Sequence, residues 1–434
     1  MYKVPYGKGE LAFDLPPGMH STVVESRTVP PIADVPAAIA EAMAKPVNSP
    51  PLREMARPGN IACIVFTDIT RASPDHLLIP PVLCELEAAG VRDEDITLLC
   101  GIGMHRPSTL EEKNAKLGAE VVARYRVIDT EPQNPAALVD LGTAESGIPL
   151  SVHRAAFEAD LLIATGIVEP HQLAGYSGGR KTVAVGAAGE AMIAYTHGPQ
   201  MMKHPGVRLG RIEGNPFHEA ITEAARRAGL RFIVNVVLDD EKRVVAVRAG
   251  EPTAALLDLV ALARSIYEVP VPQQYDVVIG GVGFPKDANL YQATRAASYL
   301  FFASTPVVKP GGFLIIPARC QEGAGEGTGE QRFFEKMRDA SDMLSLLEEL
   351  RRTGYPPGAQ RAFIMAKVLE QVKVIIVGAE CPKLVREAKM ISVATMEEAL
   401  GIAAEKLGPE LDVLIVPHAL LTLPVVEASH RARQ

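Results

Sequence analysis

The sequence predicts an α/β protein of two domains with mostly parallel sheets around an interdomain cleft. Three observations point there. Short β-branched runs alternate with helical patterns from residue 60 onward, the mark of helices layered on a mainly parallel sheet. A proline-rich break, "YEVPVPQQYD" at 267–276, interrupts the alternation, which then restarts. And 434 residues exceed one ordinary core; at roughly 150 residues per domain they suggest two or three.

In chain order, "NIACIVFTD" (60–68) reads as a buried strand, followed by a helix over "HLLIPPVLCELEAAG" (76–90). "DITLLCG" (95–101), "ADLLIATG" (159–166) and "LRFIVNVVLD" (230–239) continue the strand series, with helices at 216–228 and 254–267. Beyond the break come "DVVIGG" (276–281), "GGFLIIPA" (311–318) and "VKVIIVG" (372–378). The first domain is therefore expected over residues 1–268 and the second over 274–408. The run "LDVLIVPHA" (411–419) suits either unit, and the segment 409–434 is a candidate to return and pack on the first domain. "CQEGAGEGTGEQR" (320–332) reads first as a mobile surface loop and second as a substrate lid.

Composition excludes several classes. A net charge of −8 lacks the basic footprint of a nucleic-acid binder. The N-terminus has no apolar signal core, and no run of about 18 apolar residues occurs, so neither a signal peptide nor a membrane span is expected. Five scattered cysteines without a CxxC pair suggest reduced, mostly buried thiols in a cytoplasmic protein. Tryptophan is absent, which removes the strongest aromatic stacking platform.

Open α/β sheets bind ligands at the carboxyl ends of their strands, so polar clusters just past strands carry the functional signal. "TDITRASP" (67–74) offers Asp68, Thr70 and Arg71 for a nucleotide phosphate or ribose, or simply caps the next helix. "GIGMHRPST" (101–109) puts His105 and Arg106 in a loop that opens a helix at a capping-box pattern; a lone loop histidine is usually idle. Its "GIG" lacks the third glycine of a dinucleotide fingerprint. "HQLAGYSGGRKTVAVG" (171–186) sets His171 and Lys181 among glycines, which suggests either a phosphate clamp or a reacting amine. "MIAYTHGPQMMKHPG" (192–206) ends a helical pattern at His197. That ring is either a cation at a helix C-terminus or a neutral metal ligand, two readings that need opposite protonation. Together, three imidazoles, a lysine, an arginine and glycine-rich backbone make a site facing one cleft. The set has neither the carboxylates of a magnesium site nor the cysteines of structural zinc; imidazole suits Ni, Cu, Zn or Fe.

These stretches, in this order, resemble the nickel-dependent lactate racemase family of nickel-pincer 2-hydroxyacid racemases and epimerases. The resemblance covers most of the chain and rests on "TDITR" (67–71), "GMHRPST" (103–109), "PHQLAGYSGGRK" (170–181), "THGP" (196–199) and "GFPKDANLYQATRAAS" (283–298). Its specific part is spacing: 66 residues from His105 to His171, 10 more to Lys181, and 16 more to His197. The resemblance implies a nickel-pincer nucleotide, of the Ni(II)-pyridinium-3,5-bisthiocarboxylic acid mononucleotide type, joined to Lys181 through a thioamide. It implies His197 as the nickel ligand and His105 and His171 as the acid/base pair. Asp68, Ile69, Thr70 and Arg71 are the implied nucleotide contacts, and Ser177, Gly178 and Gly179 the backbone against which the cofactor lies. Tyr291, Gln292, Arg295 and Arg71 are the implied substrate contacts. Dedicated cofactor-synthesis proteins are the implied partners, and a small 2-hydroxyacid the substrate.

Two departures bear on substrate. Arg295 stands where the family usually has a lysine, so a planar fork replaces a point charge. The tryptophan of a lactate-type pocket wall has no counterpart in a chain without tryptophan. Both leave room for a larger or more polar 2-hydroxyacid than lactate. The alternatives are a nicotinamide-dependent 2-hydroxyacid dehydrogenase, disfavoured by the missing fingerprint, and a non-catalytic metallocofactor carrier or sensor, disfavoured by the second histidine.

Overall fold

A computed structural model describes residues 1–355 and 359–427. It contains two six-stranded sheets. The first runs, edge to edge, Val244–Gly250, Leu230–Leu238, Leu161–Ile167, Ala62–Thr67, Ile96–Gly101, Arg126–Asp129; all neighbours are parallel except the first pair. Every strand expected from the sequence is present, because runs such as "ACIVFT" are buried on both faces, as a parallel sheet between helical layers requires. The alternation of side chains is visible in the packing. Ile64 and Phe66 meet Leu78, Ile79 and Val82 of helix Asp75–Ala88, whereas Cys63 and Val65 lie in the cluster with Leu256, Leu259 and Val260 of helix Pro252–Tyr267. Each such fully buried branched side chain contributes about 1.5–3 kcal/mol.

The second sheet is parallel throughout: Ile391–Val393, Lys373–Val377, Val308–Pro317, Tyr275–Gly280, Leu411–Val416, Met19–Val23. Here the domain boundaries differ from those expected. Leu411–Val416 does not return to the first domain; it is an inner strand of the second sheet, buried where it pairs with Tyr275–Gly280. Residues 2–23, expected in the first domain, belong with the second. Hairpin Tyr2–Tyr6/Gly9–Phe13 packs Val4 and Phe13 onto the second sheet, and Met19–Val23 adds to its edge. That strand is short and half polar, so no local pattern announces it. Only Leu423–Val426 leaves the sheet, pairing with linker strand Glu268–Val271, whose Pro270 suits a two-stranded ribbon. Residues 428–434 lie outside the described residues.

One hydrophobic cluster crosses between the domains, joining Leu173, Ile193, Met202 and Phe217 to Leu290, Leu300, Leu314 and Phe363. It seats the 171–217 region of the first domain directly against helices of the second. The 320–332 segment, expected as a mobile loop or lid, starts buried at Cys320 and is tied to the chain that opens helix Leu290–Phe301. Cys320 N donates to Asp287 O (2.8 Å), Glu322 N to Ala288 O (2.8 Å) and Leu290 N to Gly323 O (2.8 Å). From Thr328 it is helical. Cys63, Cys100 and Cys320 are buried, and the five thiols are free. Among the described residues, no helix is long and apolar enough to cross a membrane.

Candidate active site

Strands Leu161–Ile167, Ala62–Thr67 and Ile96–Gly101 are adjacent in the first sheet and parallel, so the loops leaving their carboxyl ends are neighbours. Those loops are the ones carrying Glu169 and His171, Asp68 to Arg71, and His105. Asp68 organises the last of these. Its Oδ2 meets His105 Nδ1 at 2.6 Å, and its Oδ1 accepts from Thr70 Oγ1 at 2.7 Å. Burial pushes the Asp68 carboxyl up, but the bonds from His105 and Thr70 and the charge of Arg71 hold it below the usual carboxylate range. An ionised carboxylate only accepts, so His105 carries a hydrogen on Nδ1 and its neutral form presents Nε2 as a lone pair. The ring is half exposed at the cleft mouth (46 %) while the carboxylate is not (8 %).

His171 has the opposite arrangement. It sits in a tight hairpin, Pro170–His171 against Gly175–Tyr176, and its Nδ1 accepts the backbone N–H groups of Leu173 (3.3 Å) and Ala174 (3.1 Å). With Nδ1 accepting, the hydrogen of the neutral ring is on Nε2. Burial, then the charges of Lys181, His197, Arg71 and Arg295, hold the imidazolium form well below its ordinary range. The two histidines thus face the cleft with unlike nitrogens, a lone pair from one and an N–H from the other.

The glycines of the 171–186 stretch are closely packed by the protein itself. Gly178 has φ +139°, and a Cβ there would strike Leu256; a Cβ at Gly179 would lie 2.9 Å from Ile233 Cγ2 and 3.3 Å from Ala164 Cβ. Their lack of a side chain lets the loop bed against the sheet just before Lys181. Ser177, expected at the cofactor, spends its hydroxyl on backbone: it donates to Ile167 O (2.7 Å) and accepts from Glu169 N (3.1 Å). Both arrangements have one cause, a turn that must close over the ends of strands Leu161–Ile167 and Leu230–Leu238. Lys181 itself follows in the first turn, its N–H donating to Gly178 O at 2.9 Å. Burial, followed by the adjacent charge of Arg71, pushes its amine down to about 7, against the pull of Glu169 and Asp68.

His197 ends helix Glu190–Thr196. Its Nδ1 faces Ile193 O at 2.9 Å, which fixes the hydrogen on Nδ1 and leaves Nε2 as a free lone pair. Burial and the charge of Lys181 push its pKa down to about 4. It is therefore a neutral imidazole, the ligand form, and not a cation at a helix end. His171 and His197 flank the same ring, with Phe217 centroids at 6.4 and 5.3 Å. From the second domain, Tyr355 Oη donates to His197 O at 2.7 Å.

Helix Leu290–Phe301 supplies the facing wall. Arg295 acts on His171 and Glu169; Gln292 Oε1 and Arg295 Nε are buried without a partner; half-buried Tyr291 packs on Phe333. Ile69 is exposed beside Thr70 and Arg71. Three groups went unnoticed in the sequence. Glu169, whose carboxyl is pushed up by burial and pulled down by Arg71, Lys181, Arg295 and Lys286, is the acid at the centre of the cationic cluster. Lys286, whose amine burial, Arg295 and Arg71 push down, and Tyr299, one turn beyond Arg295, complete it. The signal for Tyr299 was its i+4 spacing from Arg295; for Glu169 it was proximity to His171 in "VEPH".

Among the described residues no group of three or more His, Cys, Asp or Glu side chains could hold a metal. The donors that are present, one imidazole lone pair beside an amine about half unprotonated at neutral pH, fit a metal whose other ligands arrive on an organic group joined to that amine.

Comparisons with known proteins show the family. The lactate racemase N-terminal domain family matches residues 6–210 and the lactate racemase C-terminal domain family residues 271–423. The lactate racemase of Thermoanaerobacterium thermosaccharolyticum is 31 % identical over 418 residues, covering 96 % of this chain and 97 % of that one. The lactate racemase of Lactiplantibacillus plantarum is 31 % identical over 386 residues, covering 88 % and 89 %. The structure of the Thermoanaerobacterium apoprotein superposes with a TM-score of 0.84 at 30 % identity, over 98 % of this chain and 99 % of that one. A Thermotoga maritima protein shares the fold, with a TM-score of 0.63 at 20 % identity over 91 % and 97 %.

Proposed function

The chain belongs to the lactate racemase family, and from that premise we propose that it is a 2-hydroxyacid racemase or epimerase working through a nickel-pincer nucleotide on Lys181. The observation that carries the reading is the meeting of a near-neutral lysine with two neutral imidazoles, His171 and His197, and the guanidinium of Arg71.

The chemistry asks for such a set. Taking the α-hydrogen of a hydroxycarboxylate as a proton leaves a carbanion next to a carboxylate, which stabilises it poorly. Bound at Lys181, such a nucleotide would supply a hydride acceptor, so that a planar 2-keto acid could be reached without that carbanion. The chain's residues do the rest. His105 Nε2 takes the hydroxyl proton, and the imidazolium formed is stabilised by Asp68. His171 Nε2–H faces the oxygen from the other side. Running the reaction from the opposite enantiomer requires His171 to accept at Nε2, hence to release Leu173 N–H and Ala174 N–H from Nδ1. Arg71 holds the carboxylate beside the reacting carbon, and Arg295 faces the substrate from the second domain. His197 would offer Nε2 to nickel, and Tyr355 steadies the segment that carries it.

We place the protein in the cytoplasm with cofactor-synthesis proteins as partners, in keeping with its reduced thiols and its need for a preassembled cofactor. Family membership leaves no support for nicotinamide-dependent oxidation. The test is a panel of single-enantiomer 2-hydroxyacids incubated with protein made beside the cofactor-synthesis proteins and scored by loss of optical purity. His105→Ala and His171→Ala should each lower turnover on the order of 10²–10⁴-fold while the protein folds. Near-native turnover in either variant would overturn the acid/base assignment.

A further inference from the structure

We propose that Arg361, together with Arg295, forms a second anion subsite beside the reaction centre, and that the substrate is a 2-hydroxyacid with a second carboxylate at its far end. The proposal rests on the racemase reading and extends it to a substrate class.

Arg361 opens helix Gln360–Gln371 of the second domain and is 6 % exposed. Its Nη1 donates to Ser298 Oγ at 2.9 Å, its guanidinium lies 5.4 Å from the centre of the Tyr291 ring, and its Nε has no partner. Among the described residues no carboxylate forms an ion pair with it, nor with Arg295, whose Nε is also buried and unpartnered. After burial, the groups that act most on Arg361 are the Tyr291 hydroxyl and then the cation of Arg295. A buried cation answered only by hydroxyls and a second cation is costly, and an anion between the two removes that cost. Two planar forks with open N–H groups suit a carboxylate.

The position selects the distal carboxylate over the one beside the reacting carbon. Arg71 acts on both His171 and Lys181, where the hydroxyl and α-hydrogen must lie. Arg295 reaches His171 on one side and Arg361 on the other. Arg361 touches Ser298 and Tyr291, which lie about one turn to either side of Arg295 on helix Leu290–Phe301, and so meets Arg295 from within the second domain. The two arginines of the second domain thus extend the anion-binding line away from the reacting carbon.

Calorimetric titration of the cofactor-free protein with L-malate, L-lactate and nicotinate mononucleotide tests this without turnover, and kcat/KM for malate against lactate tests it in the loaded enzyme. One charge-assisted contact predicts a malate preference on the order of ten- to a hundredfold. In Arg361→Met that preference should fall to about unity, and Arg361→Lys should retain part of it. Equal or weaker binding of malate in the native protein, or a preference untouched by Arg361→Met, overturns the proposal; so does a loss confined to the mononucleotide, which would make this a phosphate site for the cofactor. If Arg361→Met fails to fold by circular dichroism, the native preference and Arg361→Lys decide. Racemisation of lactate without malate preference would sink the subsite and leave the racemase reading standing; malate preference without any racemisation would do the reverse.

Discussion

Lys181 must be acylated for the proposed function to exist, and its reactivity can be measured with no cofactor present. An ordinary lysine, with a pKa near 10.4, has about one amine in 2,500 unprotonated at pH 7. At Lys181 burial and Arg71 push the value down to about 7. Roughly half of the amines are then unprotonated at that pH, a gain on the order of a thousandfold in the reactive form. Brief trace acetylation of the cofactor-free protein across pH 5.5 to 11, followed by digestion and mass spectrometry, reads the midpoint for each lysine peptide. Lys181 should titrate near pH 7 and exposed lysines near their usual value, about three units higher. Arg71→Met removes the second-largest influence, so the Lys181 midpoint should rise. A midpoint above about 9.5 for Lys181, or one indifferent to Arg71→Met, would refute the claim that the site prepares this amine for attachment.

Asp68→Asn removes a charge-assisted bond of about 1.5–3 kcal/mol, lessened because His105 is half exposed, so kcat should drop roughly ten- to a hundredfold with KM little changed. Because the folded-state pKa of Asp68 is depressed, its stabilising contribution is complete above the ordinary carboxylate value and disappears only as pH falls through the lower folded value; acid melts of native protein and Asp68→Asn should converge there. Nitrogen NMR of the histidines should find His171 neutral with hydrogen on Nε2 and His197 neutral with hydrogen on Nδ1; the reverse tautomer at His171 would remove the asymmetry drawn here. Gly179→Ala should destabilise by about 1–3 kcal/mol through contact with Ile233, whereas Gly401→Ala, in an open helical position, should be neutral or stabilising in the same denaturant titration.

Much of this protein could be read along the chain. The central strands of both sheets were legible because a strand buried on both faces must be a continuous apolar run, and "NIACIVFTD" or "VKVIIVG" can hardly be anything else. Asp68, His105, His171, Lys181 and His197 were legible as polar groups at strand or helix ends, where ligands bind. The edge elements were not. "MHSTV" joins the second sheet only because Leu411–Val416 leaves an edge for it, nearly 400 residues later in the chain. Neither was Glu169 distinguishable from a surface acid without the four cations around it.

What the sequence determined, then, was the identity and order of the elements and the chemical kind of each side chain, since periodicity and residue type are local. Tertiary structure decided which nitrogen each imidazole presents, how far the Lys181 amine is discharged, and which glycines serve packing. Those depend on atoms brought close from distant positions, such as Asp68 against His105 and Ile233 against Gly179. Hydrogen bonds and desolvation act over a few ångströms of space, whatever the distance along the chain.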